Sequence, residues 1–207
     1  MLRKKGRAQI TGEHYTHRYL WHAAETLAEK GHSIEDGGGV LLMAATLFAY
    51  FALESYLNYI GPIACPDEWS RERQFFGGDG GDPYKGTLGK LHLLSDRLHV
   101  SLDRGRRPYQ TVALLDQRRD AVVHGRPERI NVEVTFKDPR FLESADPAIY
   151  AFADEDFLRQ VFQDLETVGD SIQLAAQQQL GEHTVWSPRA FRGMTGHHGG
   201  SILEMPQ

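Results

Sequence analysis

The chain has 207 residues, 41% hydrophobic and 25% charged, and its 28 acidic against 23 basic side chains leave a formal net charge of −5. That length suits one globular domain, residues 1–207, around a single core, and the negative balance excludes a global positive field steering the chain to nucleic acid. The lone Cys65 excludes intramolecular disulfides and a Cys-based zinc cage, and fits a reducing cytoplasm.

Residues 14–30 have helical spacing, with Tyr15, Tyr19, Ala23 and Leu27 as one stripe and Gly31 as the stop. After Asp36-Gly37-Gly38-Gly39, residues 40–60 form a long helix, apolar on nearly every side until Glu54 and Asn58, and ended by Gly61-Pro62. Such a helix belongs in the middle of a bundle. Its apolar run, 40–53, is cut by Glu54 before it reaches the length of a bilayer span, and no apolar segment follows the basic residues at the N-terminus. The expectation is a cytoplasmic chain with no membrane partner.

Glycine-rich residues 77–83 read as a mobile loop with no regular structure. They lack the lysine and serine of a triphosphate-binding loop. A stripe of Leu88, Leu91, Leu94 and Leu98 gives the next helix, and Pro108 opens the one after it, where a missing N–H costs least. Ile130, Val132, Val134 and Phe136 alternate with polar residues, as in a short extended segment. A last helix over 154–180 has Asp154 as its cap and apolar residues from Phe157 to Ala175. The fold class is therefore all-α, a bundle of four to six helices with its core at about 38–181, an N-terminal helix at 14–30 and a loosely ordered, irregular tail at 183–207.

Metal ligation finds little support. His14, His17, His22 and Glu13 fall near one helical face but lack good spacing and a fourth ligand, and Glu29 with His32 straddles Gly31. No cofactor is expected. Trp69, Phe76, Tyr84 and Tyr109 read as core aromatics, Cys65 as an inert thiol, and the basic runs 3–7 and 104–107 as solvated segments.

The helix that Pro108 opens carries Leu114-Leu115-Asp116-Gln117-Arg118-Arg119-Asp120-Ala121-Val122-Val123-His124-Gly125. Asp116, Asp120 and His124 follow at i, i+4 and i+8, one polar stripe in which Asp120 can orient the imidazole. His124 falls in the last turn, at the end of a helix that attracts cations. Other Arg/His pairs, Arg7 with His14 and Arg192 with His197 or His198, lie on glycine-containing segments that hold neither partner rigidly.

This segment resembles the Arg-x4-6-His signature of HEPN domains, a helical family with many metal-independent RNases. The resemblance covers about residues 38–181 and implies an up-and-down bundle that homodimerises, bringing two motifs into one cleft. It implies RNA as substrate and roles in phage defence, RNA processing or toxin–antitoxin pairs, with a neutralising antitoxin protein as partner. Arg119 and His124 would be catalytic, with Asp120 as the polar position of the motif and Glu54, Asn58 and Arg118 supporting. Cleavage without metal needs a proton carrier and a cation at the phosphorus oxygens, which histidine and arginine supply. Five helical residues separate the pair by about 7.5 Å along the axis and about 140° around it, so a second copy is needed to close the site. The alternative is a non-catalytic dimeric HEPN-like module that binds nucleotide or protein.

Overall fold

Apolar helix faces must be buried against one another, and the packing here follows from which faces are apolar. The computed structural model describes residues 7–124, 152–182, 185 and 187–204. Among these the chain forms β1 (Arg7–His14), α1 (Thr16–Ser33), α2 (Gly38–Ala64), α3 (Pro66–Trp69), α4 (Glu72–Gln74), a π turn (Phe75–Asp79), α5 (Gly86–Arg97), α6 (Tyr109–Val123), α7 (Glu155–Leu180) and β2 (Gly196–Glu204). The protein is mostly all-α, as its patterning predicts. The expected extended segment at 130–136 and the helix stop Gly125 lie outside the described residues.

α2 is the axis of the bundle and packs against α1, α3, α5, α6 and α7. Leu42, Ala49, Leu53, Tyr56, Leu57 and Ile60 are buried along one broad face of it. Among the described residues it is the one helix long and apolar enough to cross a membrane, and half of that stretch is buried inside the bundle. At its end Gly61 lets the indole of Trp69 lie against the backbone, for a Cβ there would sit 2.0 Å from Trp69 Cε2. Gly61→Ala is therefore expected to cost about 2–3 kcal/mol of overpacking, read as a lowered urea midpoint with unchanged slope. A loss below about 0.5 kcal/mol would show that the indole has room to move.

Two expectations are corrected. The buried stripe of α1 is His17, Arg18, Trp21, Ala24, Ala28 and Gly31, whereas Tyr19 is exposed. The larger Trp21 takes the core, which rotates the helix away from the predicted face. The glycine-rich segment is irregular as expected: the turn over 75–79 is broken by a kink at Gly78, which takes φ 143°, while Phe76 just before it is buried against Trp69, ring centroids 4.8 Å apart.

The tail is not loosely ordered where it is described. Val185, Ala190 and Phe191 are buried, and β2 pairs antiparallel with β1, a strand the sequence did not announce. The strap formed by 185 and 187–195 is held by specific bonds. Arg18, itself buried, donates to the carbonyls of Ala190, Met194 and Arg189 at 3.5, 3.0 and 3.4 Å. Gln173 and Gln177 of α7 donate to the carbonyls of Ser187 and Val185.

α7 begins where expected, with the Asp154 carboxylate accepting from the Phe157 amide at 2.6 Å. Its buried Asp164 accepts two hydrogen bonds from Arg107, at 2.8 and 3.0 Å, and another from Thr111. One arginine of the 104–107 run thus ties α6 to α7.

Candidate functional site

Polar side chains on otherwise apolar helices are the signal of a site, because each costs burial energy unless paired. On α2 the residues Tyr50, Glu54 and Asn58 follow at i, i+4 and i+8 and form one polar edge. Thr87 and Lys90 on α5, and Asp116 and Arg119 on α6, are spaced i, i+3 and face it. Between them lies a cleft of about 300 Å³ lined by Glu54, Glu72, Arg73, Phe76, Thr87, Lys90 and Arg119, with Gly77 and Gly86 at its wall.

The wiring of this cleft is dense. The fully buried Tyr50 donates its hydroxyl to Asp116, and the Arg119 guanidinium lies 5.9 Å from the Tyr50 ring centroid. Burial first, and then the bond to Asp116, push the Tyr50 phenol well above its ordinary value, so it stays protonated. Thr87 donates to Glu54 at 3.1 Å. Lys90 is buried, which requires acceptors, and it finds Asn58 Oδ1 at 2.7 Å and the Glu72 carboxylate.

Arg119 is also paired with Asp120 at 2.9 Å. Burial works against its charge, but the Tyr50 oxygen and the carboxylates of Asp120 and Glu54 outweigh that, and the guanidinium is held above its ordinary value. Its Nε is buried and has no hydrogen-bond partner.

The candidate residues are thus distributed unevenly. Arg119 and Glu54 line the cleft together, and Asn58 reaches it through Lys90. Asp120 pairs with Arg119 rather than serving the imidazole in the way the polar stripe predicts. His124 is exposed at the C-terminal cap of α6, its amide donating to the Asp120 carbonyl at 2.9 Å, and it does not line the cleft. Arg118 turns elsewhere, stacking over Phe157 and Phe152 at 5.0 and 5.6 Å. The rival Arg192 is consumed by ion pairs with Glu25 and Glu166.

Sequence reasoning missed Tyr50, Thr87, Lys90 and Glu72. The signal available was Lys90, a charge set between Leu88 and Leu91 in the leucine stripe of α5. Among the described residues no group of three or more metal-ligating side chains gathers. Burial pushes the Cys65 thiol up to about 11, leaving it in its unreactive protonated form.

No family model, no curated protein and no solved structure matches this chain.

Proposed function

We propose that the chain is a metal-independent endoribonuclease of HEPN type that works as a homodimer, acting as the toxin of a toxin–antitoxin or phage-defence pair. The observation that carries the reading is Arg119. The arginine of the motif reaches into the one described cleft that also holds Glu54 and Lys90, while His124 stands exposed at the end of the same helix.

In this reading one His124 imidazole removes the proton of a ribose 2′-hydroxyl. The 2′-oxygen attacks the adjacent phosphorus, and the 5′-oxygen leaves with a proton from the partner's imidazole. The products are a 2′,3′-cyclic phosphate and a 5′-hydroxyl. Arg119 neutralises charge on the phosphorus oxygens in the transition state. A second copy is required because His124 lies outside the cleft of its own protomer.

Digestion of a defined RNA in the presence of a chelator tests this. His124→Ala is expected to lower the cleavage rate by about 10³-fold, with the dimer and the melting temperature unchanged. Cleavage that survives in His124→Ala would remove the histidine from the mechanism.

One observation favours a second reading. Arg119 is already paired with Asp120 and lies over the Tyr50 ring, as a purely structural side chain would. A non-catalytic dimeric binding module follows, and it would retain RNA or partner protein while leaving RNA intact.

A further inference from the structure

Cations outnumber carboxylates on the lining of the cleft. Three cations line it, Arg73, Lys90 and Arg119, against two carboxylates, Glu54 and Glu72. Glu72 is engaged by Lys90, and Glu54 accepts from Thr87. Arg73 is exposed, and among the described residues no carboxylate pairs with it. Arg119 is paired with Asp120 through Nη1, and its Nε is buried without a protein acceptor.

The wall adds backbone donors. Gly86 and Thr87 form the first turn of α5, a helix whose N-terminus has no side-chain cap, the Gly89 amide being bonded to the Lys85 carbonyl. First-turn amides of such a helix are donors without a helical partner, and the helix dipole favours negative charge there. At Gly86, with φ 65°, and at Gly77 no heavy atom lies within 4 Å of where a Cβ would stand, so the wall is open to a ligand. Guanidinium groups and backbone amides together bind tetrahedral oxyanions.

We infer that this cleft between α2, α5 and α6 is a phosphate-binding subsite, with Arg73, Arg119 and the first turn of α5 as its donors. Lys90, tied to Glu72 and Asn58, holds the floor and supplies field rather than direct contact. The subsite rests on the ribonuclease reading only in taking the phosphate to be that of an RNA, bound next to the bond that is cut. The donors are there whether or not the chain cleaves.

The test uses the full chain and inorganic phosphate, followed by calorimetry and thermal shift against sodium chloride of equal ionic strength. Saturable binding is expected, together with a rise in melting temperature that chloride does not reproduce. Arg73→Gln, on an exposed side chain that the fold does not need, is expected to weaken binding about tenfold. Two 2′-O-methyl dinucleotides, with and without a 5′-phosphate, identify the source. Tighter binding of the phosphorylated form assigns a terminal phosphate, and equal binding assigns the internal diester; both support the subsite.

Absence of saturable phosphate binding in the wild-type chain would overturn the inference, as would equal affinity in Arg73→Gln. Because binding is read without cleavage, an inactive protein that still binds phosphate refutes the ribonuclease alone. An active one that ignores phosphate refutes the subsite alone.

Discussion

Phe191→Ala is expected to cost about 3–5 kcal/mol, the range for emptying a buried aromatic site. Phe191 is 3% exposed, stacks on Trp21 with ring centroids 4.4 Å apart and planes 10° from parallel, and meets the Tyr56 ring at 5.6 Å. Gly169 of α7 makes room for it, since a Cβ there would lie 2.6 Å from Phe191 Cε2. Truncation would leave a cavity under the strap that Arg18 cannot close, because its guanidinium is committed to the carbonyls of 189, 190 and 194. With total stabilities of about 5–15 kcal/mol for most domains, the variant should unfold at far lower urea. A midpoint within about 0.5 kcal/mol of wild type would mean that the tail contributes nothing to the core.

Acidification should weaken the protein through His17. The imidazole is buried among Tyr56, Tyr59 and Tyr15, with ring centroids 5.6, 4.8 and 6.1 Å away. Burial first, and then the neighbouring Arg18 cation, lower its pKa to about 3, against an opposing hydrogen bond to the Ala190 carbonyl. The unfolded value of 6.5 lies above the folded one, so between them the unfolded chain binds the extra proton. The contribution is therefore whole above about pH 6.5 and drains as pH falls toward 3. It amounts to roughly 2 kcal/mol lost by pH 5 and about 5 kcal/mol in all. Urea midpoints from pH 7.5 to 4 measure it, with His17→Phe as the control that keeps a ring among the tyrosines. An equally steep fall in His17→Phe would place the acid sensitivity in other groups.

How much was legible from sequence depends on the range over which each signal acts. The central place of α2 follows from local pattern, since a helix apolar on all sides has nowhere else to go. Glu54 and Asn58 stood out as polar interruptions of that helix. Tyr50 did not, because a phenol inside an apolar run looks like any core aromatic until its hydroxyl is seen against Asp116 and Arg119.

The strap was hidden for a different reason. Glycine- and histidine-rich residues 192–200 carry no periodic pattern, and the clamp on this region comes from Arg18, about 170 positions away in sequence. Likewise, spacing places Arg119 and His124 on one helix but says nothing of Lys90 or Glu72, which reach the cleft from α5 and α4. Motif position is a local property, whereas the set of side chains gathered around Arg119 is a tertiary one.

The proposed chemistry is tested most directly by the ends it leaves on RNA. Mass spectrometry of a defined oligoribonucleotide incubated with the wild-type chain and a chelator is expected to find 2′,3′-cyclic phosphates paired with 5′-hydroxyls. Intact RNA, or fragments carrying 5′-phosphates and 3′-hydroxyls, would contradict the account.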